Sequence, residues 1–474
     1  MPSCPQADCL VASGLGSQVV LPDDPKYLAR VESYFDNGAK LHPACFVQPQ
    51  TAVEVATAVR ALAKDGQEFA VRAGGCINRV GSNNISGGVT IDLILLNGVE
   101  YNPQTHKADV GPGATWKEVY DELEGRGRVV GGGRVGSVGV GGFLLGGGIS
   151  FHSGRCGFAC DTVVAYEVVL ADGTTITATS EQHKDLFRAL KGGGNNFGIV
   201  TRFTMETYPA PDTVWGGVSL KPIDTLHVAS QALQDFTSNV SSDLDSTMIF
   251  VAAHQPEYGG NTVLTLCFNA AGVEKPQAFK KFLDLPETFS KYQIGKVQDL
   301  LPLSELPLNN VWYSLAVKND AAIISKASEL IYKLANDLKA NIADGEFTTH
   351  CAFQPIPRVY TERSLAAGGN VMGLDNYPHD TITLQVSASV KTAELAEWVR
   401  PQVEAVVEEV RAFAGEDRLC PWLYLNYAHS SQKVLESYGR ENVDLIKAVA
   451  AKYDPDGVFQ RLCPGGFKIS AVKA

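Results

Sequence analysis

The chain has 474 residues, of which 45% are apolar and 19% charged, so it can bury a full core over two or three domains and is no disordered segment. A net charge of −12 argues against nucleic acid or an anionic membrane as partner. The apolar runs are short and cut by glycine or charge, which predicts no transmembrane helix.

The N-terminal stretch "MPSCPQADCLVASGLGSQVV" has neither a basic region nor a continuous apolar region. It is read as lacking a secretory signal, so a cytoplasmic setting with the ten cysteines mostly reduced is expected. Residues 51–63, "TAVEVATAVRALA", read as an amphipathic helix, and "EFAVRAGG" as a strand and a turn. "GVTIDLILL" and "HKADVGPG" read as strands. "TWKEVYDELEGRG" is a predicted helix with Thr115 as N-cap and Gly125 as stop. After a long glycine-rich passage come an Asp-Gly hairpin, "TVVAYEVVLADGTTITA", a helix, "EQHKDLFRALKGGG", and a strand, "NNFGIVTRFTMETYP". From about Ala210 glycine thins out, and strands such as "STMIFVAAHQ" alternate with helices such as "AAIISKASELIYKLANDLKA". That pattern predicts a separate α+β domain with an antiparallel sheet. The end of the chain, from "WLYLNYA" to "DPDGVFQRLCPGGFKI", returns to aromatics and glycine.

Many of the 46 glycines cluster between Gly66 and Gly198. The segment Gly131–Gly136, "GGGRVG", formally matches the dinucleotide pattern G-x-G-x-x-G, but "SVGVGG" after it reads as no helix start, which weighs against a Rossmann site. Walker A, H-E-x-x-H and G-x-S-x-G signatures are missing. The loops at 74–75, 111–113, 136–142, 146–148 and 192–198 still ask for one explanation. Backbone N–H groups in tight glycine turns form anion-binding nests, so together these loops are suited to an extended, phosphate-bearing cofactor. The plainer alternative is unrelated surface turns. His152, Cys156 and Cys160 stand four apart in "HSGRCGFAC", but zinc would want a fourth ligand, so a structural role is expected and no metal site.

"PACFVQPQTAVEV", "VRAGG", "DVGPGATW", "SVGVGGFLLGGGISF", "GRCGFACD", "GGGNNFGIVT", "YLNY" and "YDPDGVF", in this order, resemble the FAD-linked oxidases of the vanillyl-alcohol oxidase superfamily, specifically the berberine-bridge-enzyme-like branch of fungal secondary metabolism. The resemblance implies an α+β fold: an FAD-binding domain made from both chain ends, residues 1–209 and 419–474, with an antiparallel-sheet-plus-helices substrate domain inserted at residues 210–418. It implies that Arg72, Ala73, Gly74, Gly75 and Cys76, with Arg79, Val80, Gly81 and Ser82, wrap the pyrophosphate and flavin edge of FAD. Gly113, Ser137, Val138, Gly139, Gly141, Gly142 and Gly147 would line the pyrophosphate and ring, and Gly198 and Val200 the adenine end. Val138 stands where the family controls access of molecular oxygen.

Two positions depart from the family. Its flavin-bonding histidine is here Cys76, and the cysteine of its second flavin bond is here Val135, which rules out a bicovalent flavin. Cys76 is left with three roles: packing near a non-covalent flavin, which is the preferred one, a cysteinyl thioether, or reactivity of its own.

Flavin chemistry needs a hydride delivered to the ring and a proton removed from the substrate. By resemblance Tyr424 faces flavin and substrate as base or hydrogen-bond donor, and Asn426 orients the ring or substrate. On a strand, Tyr427 would point the other way. The alternative is that these tyrosines are wall residues. His350 and Gln354 lie on a predicted strand facing the flavin, within reach of substrate but not assigned to catalysis. The expected activity is an FAD-dependent oxidase acting on a small natural-product intermediate, with oxygen as acceptor. The alternatives are a non-redox cyclase or isomerase that keeps FAD as scaffold, and a binding protein with a vestigial flavin.

Overall fold

The computed structural model describes residues 5–300, 308–343 and 345–473; Cys4 lies outside them. A four-stranded sheet opens the fold. Cys45–Val47, Val89–Asp92 and Phe69–Arg72 run parallel, and Val19–Val20 pairs antiparallel to Cys45–Val47. The predicted helix is Ala52–Lys64, capped by Thr51, and its apolar face covers this sheet. The strand in "GVTIDLILL" is shorter than expected: after Asp92 the chain tightens into a 3₁₀ turn, Leu93–Leu95. Asp92 is fully buried and accepts from Arg30 Nε and Nη2 at 2.8 Å each and from the Gln48 amide. One unforeseen helix, Pro5–Ala12, packs on the helix Ala52–Lys64.

A five-stranded antiparallel sheet follows in the order Val99–Asn102, Lys107–Val110, Ile199–Glu206, Val163–Val169, Thr175–Thr179. The helix Trp116–Glu124 beside it starts at the predicted N-cap, Thr115, which also forms a complete capping box with Glu118. One expectation fails here. A six-residue helix, Val140–Leu145, does start inside "SVGVGG", with Gly139 at its N-cap.

The third layer is an eight-stranded antiparallel sheet running from Val214 to Cys420. Helices Leu226–Ser238, Ala321–Leu338 and Ala393–Arg418 cover one of its faces. Its strand Thr381–Val390 is buried at every position, so both faces are covered. Period-2 alternation then sorts the neighbouring strand Phe347–Ile356: Phe347, Cys351 and Phe353 join the core, while Thr348 and His350 look the other way, into a cavity. The chain end returns to the start, because Val458, Phe459 and Cys463 share one core with Val47, Val55 and Phe69. Among the described residues no helix is long and apolar enough to cross a membrane.

Candidate active site

Between the glycine-rich turns and the face of the large sheet opposite its helices lies a cavity of about 620 Å³. That is within the range of roughly 300–1,000 Å³ typical of cofactor and ligand sites. The turns contribute Ala73, Gly74, Gly75, Cys76, Arg79, Ser82, Ser137, Val138, Gly139, Gly141 and Gly142. Gly198, Val200, Phe459 and Cys463 line it from the two chain ends. The sheet presents Ile249, Gln255, Thr348, His350, Gln385 and Ser389, with Asn310 and Trp312 beside them. Tyr424, Asn426 and Tyr427 complete the wall. No Asp or Glu lines it among the described residues, and its two arginines are Arg79 and Arg134.

The glycines here are required by close approach. A methyl on Gly74 would stand 2.6 Å from the N and Cα of Gly139, so the two turns meet backbone to backbone. A methyl on Gly142 would meet no protein atom within 4 Å. The run "GGGRVG" has a different reason. Methyls on Gly132 and Gly133 would meet the Trp116 indole at 2.5 and 2.3 Å, so these glycines let the loop lie flat on a buried tryptophan.

Five residues expected at the cofactor are not on the cavity wall. Arg72 is buried under Tyr34 and donates to the Arg30 and Ser33 carbonyls, tying the "VRAGG" turn to the preceding segment. Val80 is 62% exposed. Gly81 turns at φ +80° with its carbonyl against Gly465. Gly113 packs on the Leu93 carbonyl, and Gly147 packs on Met372 and Tyr424. They shape the turns that the wall residues belong to.

"YLNY" is not a strand. Leu425–Tyr427 form a 3₁₀ turn, and this reverses the expected geometry. Tyr427 does not point away from Tyr424. The rings meet edge to face at 4.8 Å, and both border the cavity. Asn426 donates to the Tyr424 hydroxyl at 3.1 Å and to the Phe143 carbonyl at 3.2 Å. Tyr424 is 1% exposed, and burial pushes its hydroxyl well above the usual phenol range. Tyr427 is half-buried, and its hydroxyl oxygen accepts the Gln354 amide N–H. Gln354 in turn accepts from Arg134, a residue that the sequence reading passed over. A lone arginine among glycines carries no periodic signal, and its partner is 220 residues away. Arg79 holds the turn itself, donating to the Leu425 and Ala428 carbonyls while stacking on Phe467.

Cys76 borders the cavity with its sulfur 3.5 Å from the Ser137 carbonyl, and burial raises its thiol above the usual range. Val135 lines the same cavity. His350 has its Nε2 2.9 Å from the Ser387 hydroxyl, and burial lowers it to about 4. His152, Cys156 and Cys160 are buried, and among the described residues no group of His, Cys, Asp and Glu is placed to hold a metal. Cys76, Cys156 and Cys160 are free thiols.

The cavity fits an extended flavin dinucleotide. It has the size, a wall of side-chain-free turns, and buried polar atoms that lack a partner among the described residues, namely Arg79 Nε, Asn83 Oδ1 and Trp312 Nε1. Residues 43–179 match the family model described as "FAD binding domain". The FAD-dependent monooxygenase drtC of Aspergillus calidoustus is 35% identical, the match covering 97% of this chain and 89% of that protein. Xylooligosaccharide oxidase of Myceliophthora thermophila shares the fold at a TM-score of 0.81 and 20% identity, covering 98% of this chain and 99% of its own. The glucooligosaccharide oxidase of Acremonium strictum, described as holding a 6-S-cysteinyl, 8α-N1-histidyl FAD, does so at 0.77 and 22% identity, covering 95% and 97%. With this fold, this cavity and these relatives, the chain belongs to the FAD-dependent oxidoreductases of the vanillyl-alcohol oxidase superfamily, in the berberine-bridge-enzyme-like branch.

Proposed function

We propose that the protein oxidises a small, uncharged, partly apolar natural-product intermediate on a non-covalently held FAD, with molecular oxygen as the final acceptor. The observation that carries this reading is the meeting of the Tyr424–Asn426–Tyr427 turn with the Gly74–Gly139 seam around one cavity. The bound flavin would supply the two-electron acceptor, which oxygen then regenerates with release of hydrogen peroxide. The Gly74 and Gly139 turns would hold it, with Ser137, Gly141 and Gly142 alongside and Gly198 and Val200 toward its other end.

The rest of the chemistry belongs to side chains. Oxidation of an alcohol to a carbonyl removes a hydride and a proton. Of the two tyrosines, Tyr427 is the better proton acceptor. Both border the cavity, but Tyr427 is half-buried, whereas Tyr424 is 1% exposed and its hydroxyl oxygen is committed to Asn426. In its ionised form Tyr427 takes the substrate proton. Gln255, Asn310, Thr348, Gln385 and Ser389 offer uncharged hydrogen-bond groups, and among the described residues no carboxylate lines the wall to partner a cationic substrate. Val138, a small apolar wall residue, leaves oxygen an approach. Cys76 as a protonated thiol is a poor nucleophile, which supports a non-covalent flavin.

The test is anaerobic mixing with candidate substrates while the flavin spectrum is followed. Bleaching at the rate of product formation, and peroxide on readmitting air, are expected. Product formation with no bleaching would overturn the redox reading in favour of a cyclase or isomerase that keeps FAD as scaffold.

A further inference from the structure

The chain Arg134–Gln354–Tyr427 has a direction imposed by its chemistry. A guanidinium has no acceptor atom, so Arg134 can only donate. It donates to the side-chain oxygen of Gln354, which turns the amide nitrogen toward Tyr427. That nitrogen donates to the Tyr427 hydroxyl oxygen. An oxygen that accepts on the wall side turns its own proton elsewhere. Among the described residues no acceptor takes that proton: the one hydrogen bond of the Tyr427 hydroxyl is the one it accepts from Gln354, and Tyr424 meets it ring edge to face. The remaining direction is the cavity.

Both supports are fixed. Gln354 is 2% exposed on the strand Phe347–Ile356, in register with Thr383. Arg134 is 9% exposed and leaves the loop that Gly132 and Gly133 press onto Trp116, where the Tyr120 hydroxyl also holds the Gly133 carbonyl at 3.1 Å. Among the described residues Arg134 has no carboxylate partner, so the amide oxygen of Gln354 is its one hydrogen-bond acceptor.

We propose that Arg134 and Gln354 are positioning residues that lock the Gln354 amide so that Tyr427 exchanges its proton only with the ligand in the cavity. This rests on the reading of Tyr427 as the proton acceptor. In the neutral enzyme the phenol proton faces the substrate. In the ionised enzyme the amide N–H still bonds the phenolate oxygen, and the incoming proton arrives from the cavity side. Gln354 has no lone pair turned toward Tyr427 and never competes for that proton.

The experiment compares holoenzymes of wild type, Gln354→Glu, Arg134→Met and Arg134→Lys. The first readout needs no substrate. Raman difference spectra against Tyr427→Phe report, through the intensity ratio of the tyrosine Fermi doublet, whether that phenol accepts or donates. In wild type Tyr427 is expected as an acceptor. In Gln354→Glu the carboxylate only accepts, so the phenol should become a donor to it. Arg134→Met frees the amide to flip and should give a mixture, and Arg134→Lys, again donor-only, should restore the wild-type pattern. The second readout is the anaerobic flavin-bleaching rate with whichever substrate bleaches the wild type. It should fall about 10²-fold in Gln354→Glu with flavin content unchanged, and recover in Arg134→Lys relative to Arg134→Met. An unchanged doublet in Gln354→Glu overturns the positioning proposal, as does loss of flavin from the Arg134 variants, which would make Arg134 a cofactor ligand. A changed doublet with an unchanged bleaching rate leaves the orientation standing and overturns the assignment of Tyr427 as proton acceptor.

Discussion

Gly74 and Gly139 lie back to back, so close that a methyl on Gly139 would stand 2.5 Å from the Cα of Gly74. This seam joins the turn after the strand Phe69–Arg72 to the start of the helix Val140–Leu145. Gly139→Ala must therefore push two backbones apart, at an overpacking cost of about 1–3 kcal/mol, and distort the cofactor wall. Gly142→Ala is the contrasting probe. Its methyl meets no protein atom within 4 Å and sits inside a helix, so the apoprotein should be unchanged or up to about 1 kcal/mol more stable. Flavin affinity should fall about 10- to 100-fold in both variants, and apoprotein melting temperature should fall only in Gly139→Ala. Flavin titration and thermal melts of the apoproteins check this pair.

Cys76 separates attachment from packing. Its thiol is raised by burial and lies 3.5 Å from the Ser137 carbonyl. Acid precipitation of the holoenzyme should leave the flavin in the supernatant. Cys76→Ala should keep a full complement of flavin, and iodoacetamide should alkylate Cys76 slowly at neutral pH. Flavin that stays in the wild-type pellet and leaves it in Cys76→Ala would establish a thioether instead.

Much of the fold was legible because its signals are local. The N-cap at Thr115, the Asp-Gly hairpin and the alternating strands of the large sheet each declare themselves within ten residues or so. The glycine turns pointed to a cofactor for a sound reason, since backbone approach needs glycine. What stayed hidden depends on distant partners. "YLNY" carries strand-like residues, yet Arg79, more than 340 positions earlier in sequence, ties the Leu425 and Ala428 carbonyls into a turn and brings Tyr427 round to face the cavity. Arg134 had no pattern of its own and acquires meaning only through Gln354. Gly132 and Gly133 stand in the run that matches G-x-G-x-x-G only formally, and their reason is the Trp116 indole beneath them.

Acid should destabilise the protein through two buried histidines. His152 and His350 are both lowered to about 4 by burial, against about 6.5 in an unfolded chain. Between these values the unfolded chain binds more protons, so stability rises with pH across the window and is lost as pH falls from about 6.5 toward 4. Each histidine contributes on the order of 3 kcal/mol at most. Urea unfolding at a series of pH values should show this slope, and His152→Gln should reduce it by about half. A slope unaltered in that variant would show that His152 accepts a proton in the folded state.

Tyr424 and Tyr427 should separate by their partners. Tyr427→Phe removes a hydroxyl whose wall bond is to Gln354 and whose other side is the cavity. The anaerobic bleaching rate should fall about 10²- to 10⁴-fold with flavin content close to wild type, while the Gln354 amide left without its acceptor costs about 1–3 kcal/mol of stability. Tyr424→Phe removes an oxygen that accepts from a wall amide inside a sealed contact. It leaves the Asn426 N–H to Phe143 alone, at a cost of about 1–3 kcal/mol for the half-satisfied amide. Its main effect should be a lower melting temperature and looser flavin binding, because Asn426 also packs directly against Gly146 in the glycine wall. The rate of the flavin-loaded fraction should change about tenfold or less, since the hydroxyl that exchanges the proton is still in place. If Tyr424→Phe abolishes bleaching while Tyr427→Phe leaves it intact, the roles are reversed and the sealed tyrosine is the one that reaches the substrate.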